Sequence, residues 1–341
     1  MSTPEMPSEL VSAFGRIRSY LEMRGLHLPA EPKDIQADWS LPFVRWVAGN
    51  TTSGVKFNLP DSDPPGIRIG THRDIVCDPA LYNLGRVDAG RSTTHIVLGS
   101  NLAGTPWVRA LLEANKAIFI DRSLNGRAAL MQHRQLSERI ATIVQDGGHV
   151  WIAQGPGRSK DGRDETSASL LRMLGLAWGG EEKGPESLNG LLRPVVIRYD
   201  LNPCDAFLVR EKLQGFKAEG DDEESMKAGL EGWKGQVQCA EGEAIWFDSN
   251  GDRVDWQKAA EEVNRSMRAL GISGKWAHEA ENALGEGDYS HLSESFKTRT
   301  REVEQWLHEA LGRQDLDTVS SAMCEVYREV VRGAIFSSDP S

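Results

Sequence analysis

One histidine lies close in sequence to two carboxylates in the segment from Gly70 to Pro79, which reads GTHRDIVCDP. Asp74 and Asp78 follow His72, and a carboxylate that accepts the imidazole Nδ1 proton fixes the tautomer of the ring. The other ring nitrogen is then free to take a proton from a hydroxyl group, which is general-base catalysis. The structural alternative is that either aspartate caps a following helix and that His72 is a surface or packed histidine.

A second polar cluster spans Phe119 to Arg127 and directly follows an apolar run. Its residues Arg122 and Ser123 are candidate ligands for a phosphate group, because a guanidinium can hold phosphate through two parallel hydrogen bonds. The alternative is an ordinary arginine at a strand end, paired with Asp121 or another carboxylate.

A third cluster follows another apolar run and contains Gly157, Arg158, Ser159 and Lys160. Glycine lets the backbone approach a ligand closely, and the two cations suit an anion, so the cluster is a candidate phosphate cradle. The spacing of a nucleotide-binding Walker loop is absent, and the alternative is a tight exposed turn.

Other chemistries fit the sequence poorly. The tripeptide from His72 to Asp74 is HRD, as in a kinase catalytic loop, but Pro79 occupies the place of the metal-binding asparagine. The sequence also has no G-x-S-x-G for a serine hydrolase and no H-E-x-x-H for a zinc peptidase. Base catalysis by a histidine therefore stays the leading hypothesis.

The elements that would position these clusters are short apolar runs that alternate with helix-like segments. The runs cover residues 67–69, 95–99, 117–120, 149–153 and 194–197. This alternation predicts an α/β fold with a mostly parallel central sheet flanked by helices. In such folds ligands bind in the loops beyond the carboxyl ends of the strands, where all three clusters fall.

The chain divides into three predicted segments. Residues 1–65 form an N-terminal helix, expected over residues 7–25, and a linker. Residues 66–210 form the catalytic core, and residues 211–341 form an acidic, mainly helical extension with helices over residues 256–270, 292–311 and 316–335. The acidic run at residues 219–224 is interpreted as solvated surface.

Composition restricts the possible partners. The 39 lysines and arginines stand against 50 acidic residues, and the net charge of −11 gives no support to a nucleic-acid partner. The four cysteines form no C-x-x-C pair, so neither a disulfide framework nor a zinc knuckle is predicted. No stretch reaches the roughly 18 apolar residues of a spanning helix. We expect a cytoplasmic protein that is either soluble or bound to a membrane, such as the inner membrane, only at its surface.

Taken in order, the clusters resemble the motif series of the glycerol-3-phosphate and 1-acylglycerol-3-phosphate acyltransferases, in particular a soluble bacterial branch. The resemblance runs from about residue 67 to residue 205. The four motifs correspond to residues 72–78, 119–123, 155–162 and 193–199. Two departures stand out: His72 and Asp78 enclose five residues instead of four, and Pro156 replaces the glutamate of the third motif.

The resemblance implies that His72 is the general base for attack of a hydroxyl on an acyl thioester of coenzyme A or acyl carrier protein. Asp78, with Asp74 as the alternative, would orient it. The phosphate of glycerol 3-phosphate or 1-acylglycerol 3-phosphate would be bound by Arg122, Ser123, Gly157, Arg158, Ser159 and Lys160. No metal or cofactor is implied. The alternatives are another lyso-lipid acceptor and a catalytically impaired lipid-binding protein of the same fold.

Overall fold

A single sheet forms the centre of the protein. The computed structural model describes residues 15, 17–155, 157–159, 165–247, 255–312 and 314–328. In this part of the chain the strands are β1 Gly54–Asn58, β2 Gly66–Gly70, β3 His95–Gly99, β4 Ala117–Ile120, β5 His149–Ala153, β6 Leu192–Tyr199 and β7 Gln236–Glu241. Their order across the sheet is β1-β7-β6-β2-β5-β3-β4. Of the strand pairs in these described residues, only β6 with β7 is antiparallel, so the predicted α/β fold with a mostly parallel sheet is confirmed.

Helices cover both faces of this sheet, and further helices form a second core beside it. They are α1 Leu41–Thr51, α2 Cys77–Asp88, α3 Pro106–Ala114, α4 Gly126–Gln145, α5 Ala168–Gly175, α6 Gly180–Lys183, α7 Asp205–Gln214, α8 Asp221–Glu231, α9 Trp256–Ala269, α10 Ala277–Glu286, α11 Glu294–Leu311 and α12 Leu316–Tyr327. Alternate strand residues point to opposite faces. Ile67 and Ile69 of β2 therefore pack with α4, α5 and α9, whereas Trp151 and Ile197 pack with α2 on the other face.

The sheet takes strands from all three predicted segments. β2 to β6 coincide with the predicted apolar runs to within two residues at each end. The sequence pattern missed β1 and β7, which read GVKFN and QVQCAE, because polar residues interrupt both and neither forms an apolar run. Helix α1 likewise lies in the stretch predicted to be a linker. The sheet and its helices thus cross both predicted segment boundaries.

The predicted terminal helices are described in part. Residues 17–22 are helical, and Leu21 packs against Leu28 and Trp39, so this stretch uses its apolar face within the protein. The remainder of the predicted 7–25 helix before residue 17 lies outside the described residues, apart from residue 15. The last predicted helix ends at Tyr327, and residues 329–335 also lie outside the described part.

The acidic run is solvated surface in part, as interpreted, since Glu219, Glu223 and Glu224 are exposed, but Asp221 is an exception. The first turn of α8 begins within the run, where Asp221 is buried and pairs with Arg210, and Asp222 pairs with Lys217. Buried carboxylates need a charged or hydrogen-bonding partner, and α7 supplies Arg210. Asp221 and Asp222 therefore attach the start of α8 to the rest of the fold.

The C-terminal helices share a second core with α7, centred on one buried carboxylate. Asp205 accepts hydrogen bonds from Arg299 Nε at 2.9 Å and Nη2 at 2.7 Å, and from the Tyr327 hydroxyl at 2.8 Å. Tyr327 in turn packs against the rings of Trp276 and Phe296. Asp205 thus joins α7, which follows β6, to α11 and α12.

A buried charge network closes the opposite, amino end of β2 and β5. Arg68 and Arg86 both bind the Asp63 carboxylate, at 2.6 and 2.9 Å. Arg68 Nη1 also lies 2.7 Å from His149 Nδ1. Because a guanidinium has only donors, His149 Nδ1 accepts this bond, and the proton of the neutral ring is on Nε2, which lies 3.4 Å from Asp63. The network holds His149 in its neutral form.

We expect replacement of His149 by asparagine to remove part of the loss of stability at acid pH. Burial and then the charges of Arg68 and Arg86 lower the pKa of His149 from 6.5 to about 4. Because the pKa of His149 is lowered in the folded protein, the neutral imidazole is present in both states above pH 6.5. The free energy of unfolding then falls as the pH decreases toward 4. Across this range the wild-type free energy of unfolding is expected to decline by roughly 2 to 3 kcal/mol more than that of the variant.

Urea unfolding of both proteins across that pH range measures the difference. The wild type must be compared with the variant because Asp78 also titrates in this range. Burial raises the pKa of Asp78 from 3.8 to about 7, so its contribution to the free energy of unfolding is lost as the pH rises. Asp78 is present in both proteins, so its effect cancels in the difference. Parallel pH profiles of the two proteins would contradict a titrating role for His149.

Candidate active site at the carboxyl edge of the sheet

The histidine of the first cluster lies in the loop that leaves the carboxyl end of β2. His72 is half-buried, and its carbonyl accepts a hydrogen bond from the Ser159 backbone N–H at 2.8 Å. This bond joins the loop after β2 to the loop after β5, and the two strands are neighbours in the sheet. At Gly70 a Cβ atom would lie 2.4 Å from the indole nitrogen of Trp151, so only glycine fits where this loop begins.

Asp78 holds the backbone of the histidine loop. Its buried carboxylate accepts hydrogen bonds from the N–H groups of Arg73 at 2.6 Å and Asp74 at 3.1 Å, and from the Tyr199 hydroxyl at 2.6 Å. Burial and then the charge of Asp74 raise the pKa of Asp78 to about 7, although these donors lower it. Asp78 therefore fixes the residues that directly follow His72.

Asp74 occupies a capping position. Its Oδ1 accepts hydrogen bonds from the N–H groups of Val76 at 2.8 Å and Cys77 at 2.7 Å, at the start of α2. Its other oxygen lies 3.6 Å from the Cys204 sulfur. Asp74 therefore caps a following helix, which was the structural alternative for this cluster. Its carboxylate accepts hydrogen bonds from N–H groups that have no partner within the helix.

Arg158 is a buried cation beside this loop. It is 8 % exposed, and its Nη2 donates to the Ser225 hydroxyl at 3.3 Å. Among the residues that the structure describes, Nη1 is buried and has no hydrogen-bond partner, and the same holds for the Ser159 hydroxyl oxygen. A buried donor without an acceptor costs free energy unless a ligand or a water molecule accepts its hydrogen bond. The pair offers a binding point for an anion.

The other residues of the third cluster are described only in part. Gly157 is exposed and Ser159 is half-buried, next to Arg158 in the chain. Lys160 lies outside the described residues, as does Pro156, which replaces the glutamate of the family motif.

Two buried thiols lie near this loop and are poor nucleophiles. Cys77 donates to the Gly229 carbonyl and Cys204 to the Ser225 carbonyl, each at 3.2 Å. Burial and then the charge of Asp74 raise the pKa of both thiols, and both stay protonated at neutral pH. Both thiols contact helix α8, and cysteine nucleophilic chemistry finds no support here.

The second cluster lies farther along the same edge. Arg122 follows β4 and extends toward β3, where its guanidinium carbon is 3.8 Å from the Cβ position of Gly99. The Asp121 carboxylate accepts hydrogen bonds from the Ser123 N–H at 2.9 Å and from the Ser123 hydroxyl at 2.6 Å. Because β5 and β3 separate β4 from β2, and neighbouring strands are about 4.8 Å apart, this cluster begins roughly 14 Å from the histidine loop.

The structure therefore brings the first and third clusters together and leaves the second apart. His72, Asp78, Arg158 and Ser159 lie in two adjoining loops, and Arg122 could contact only the far part of an elongated ligand. Two contributors were not predicted. Tyr199 ends β6 beside β2, and its place at the carboxyl edge was the available signal. Ser225 comes from α8, and no local pattern indicates its contact with Arg158.

A pocket separates the histidine loop from the C-terminal helices. Arg73, Tyr199, Asn202 and Tyr327 are among the residues that line it. Arg73 Nη1 donates to the Val326 carbonyl of α12 at 3.2 Å. Arg73, which follows His72 in the chain, is thus held by α12. The C-terminal extension therefore supports the histidine loop.

No family model and no curated protein sequence matches the chain. Among solved structures, it is similar to the 1-acyl-sn-glycerophosphate (LPA) acyltransferase PlsC from Thermotoga maritima, with a TM-score of 0.38 and 14 % identity. The match covers 76 % of this chain and 93 % of that chain. Chains this distant need not share a substrate.

The fold and the site define a class: an α/β protein with a histidine and a buried arginine in adjoining loops at the carboxyl edge of a mostly parallel sheet. Of the helices in the described part of the chain, none is both long enough and apolar enough to cross a membrane.

Proposed function

We propose that this protein is an acyltransferase that moves a fatty acyl group from a thioester of coenzyme A or acyl carrier protein to a hydroxyl of glycerol 3-phosphate or 1-acylglycerol 3-phosphate. His72 is the general base, Asp78 positions its loop, and Arg158 binds the acceptor phosphate. The motif series in the sequence supports this assignment, since its first and third members occupy adjoining loops.

The observation that carries the proposal is the junction of these two loops. The Ser159 N–H donates to the His72 carbonyl at 2.8 Å, so the base and the neighbouring Arg158 are held by the same contact. Arg158 also keeps a buried Nη1 that no described residue satisfies. A phosphate on Arg158 would keep a hydroxyl of the same small molecule near His72.

The reaction needs few participants. The His72 imidazole takes the proton of the acceptor hydroxyl while the oxygen of that hydroxyl attacks the thioester carbonyl carbon. The resulting tetrahedral oxyanion then re-forms the carbonyl and breaks the carbon–sulfur bond, and the imidazolium returns its proton to the departing thiolate. The products are an ester and a free thiol, and no covalent acyl-enzyme is required.

A different lyso-lipid acceptor is the second candidate. Pro156 stands where the family motif has a glutamate, and loss of that carboxylate changes the contacts available to the acceptor head group. A lipid-binding protein without catalytic activity is the third. The first two differ only in acceptor, whereas the third predicts no thiol release.

The test is acceptor-dependent thiol release by the purified full chain. Palmitoyl coenzyme A and palmitoyl acyl carrier protein are each offered with glycerol 3-phosphate, with 1-acylglycerol 3-phosphate and with a lyso-aminolipid. Release with a phosphate-bearing acceptor supports the proposal. Release only with the lyso-aminolipid transfers the assignment to the second candidate, and binding of lipid without release by any pair contradicts acyl transfer.

A further inference from the structure

One exposed segment of this acidic chain has the opposite charge. From residue 122 to residue 137 the sequence contains no aspartate or glutamate, although the whole chain carries a net charge of −11. The same segment contains Arg122, Arg127, His133 and Arg134. It covers the end of the second cluster and the first three turns of α4, at the carboxyl edge of the sheet.

Large apolar side chains are exposed between these arginines. Leu124 is 36 % exposed, Leu130 is 56 % exposed and Met131 is 55 % exposed. Residues three, four and seven positions apart share one face of a helix. Arg127, Leu130, Met131 and Arg134 therefore form one exposed stripe, which continues into Leu124 in the preceding loop. We call these five residues the α4 surface.

Among the residues that the structure describes, few carboxylates oppose the charge of the α4 surface. Glu181 lies 3.6 Å from Arg134, in a pair whose side chains are both more than half exposed. The carboxylate of Asp121 is engaged by Ser123. The first acidic residue of α4 is Glu138, one turn beyond Arg134. The amino-terminal end of the helix macrodipole adds positive potential at this end of α4.

We propose that the α4 surface docks the protein onto an anionic lipid surface. The three apolar side chains enter the boundary between head groups and acyl chains, and Arg127 and Arg134 contact the lipid phosphates. Arg122 of the candidate site is two residues from Leu124, so docking brings the carboxyl edge of the sheet to the lipid. Only this last link to acyl transfer rests on the proposed function.

The area of the α4 surface favours lipid over a protein partner. A stable protein interface buries about 800 Å² on each partner, usually with a groove or an aromatic anchor. Three partly exposed aliphatic side chains on a convex helix offer much less area. A lipid surface needs no matching shape, and its affinity grows with each inserted side chain and each cation.

The experiment is co-sedimentation of the full chain with phosphatidylcholine vesicles, with and without phosphatidylglycerol. We expect the wild type to sediment with the anionic vesicles and to be released by high salt, which shortens the range of charge interactions. The double variant Leu130→Glu, Met131→Glu is expected to lose at least tenfold in partition coefficient. The variant Arg127→Gln, Arg134→Gln is expected to lose roughly thirtyfold in partition coefficient, since each of the two cations contributes about fivefold.

Trp246→Ala is the matched control. Its side chain is 69 % exposed and lies against Gly190, near the amino end of β6, so it should sediment like the wild type. Sedimentation of both double variants like the wild type would overturn the proposal. Unchanged vesicle binding together with lost binding to acyl carrier protein would instead assign the surface to a protein partner. Because no turnover is measured, failure of the proposed function leaves this test intact.

Discussion

Acceptor-dependent thiol release is expected to fall by about 10³-fold when His72 is replaced by alanine, because a positioned general base contributes 10²- to 10⁴-fold to such reactions. The loss should lie mainly in kcat. Arg158 and Ser159, which we propose as phosphate contacts, come from the loop after β5 and stay in place, so the KM for the acceptor should change little.

Initial rates measured over a range of acceptor concentrations separate the two constants. His308→Ala is the matched control, since His308 is exposed on α11 and should leave both constants unchanged. Retention of kcat within about tenfold in His72→Ala would contradict a role as general base. A raised KM at constant kcat would instead make His72 a binding residue.

Replacement of Asp205 by alanine is expected to lower the free energy of unfolding by about 3 to 5 kcal/mol. The carboxylate is fully buried and receives two hydrogen bonds from Arg299 and one from Tyr327. Its removal leaves the buried Tyr327 hydroxyl and the partly buried Arg299 guanidinium without their shared acceptor. The large loss therefore comes from the uncompensated partners more than from the pair itself.

Urea unfolding of the wild type and the variant gives the difference. Glu302→Ala is the matched control, because Glu302 binds the same Arg299 at 2.8 Å but is 56 % exposed. A pair in contact with water contributes less than about 1 kcal/mol. The double variant Asp205→Leu, Arg299→Met should recover part of the loss, since apolar side chains of similar size leave no buried charge. Equal effects of the two single alanine variants would contradict a central role for Asp205.

Local sequence pattern determined much of the sheet. The runs at residues 67–69, 95–99, 117–120, 149–153 and 194–197 all became strands, because strands with helices on both faces of the sheet are largely buried and therefore mostly apolar. The predicted mostly parallel α/β fold follows from their alternation with helices. β1 and β7 lack such runs and were not predicted.

The sequence also located the three polar clusters at strand ends, since that depends only on the order of elements along the chain. It left open which of Asp74 and Asp78 serves the histidine loop, because both are close to His72 in sequence. The contacts differ in space: Asp74 meets the N–H groups that begin α2, whereas Asp78 meets Tyr199 from β6 and the loop backbone.

Only the tertiary structure decided which clusters adjoin. Strand order placed β5 beside β2 and β4 three positions away, so Arg158 joins the His72 loop and Arg122 does not. It also brought Ser225, 67 residues further along the chain, to Arg158. Periodicity in a sequence reports which side chains are buried, but the order of parallel strands depends on contacts between distant segments. Those contacts are set by the packing of the whole fold.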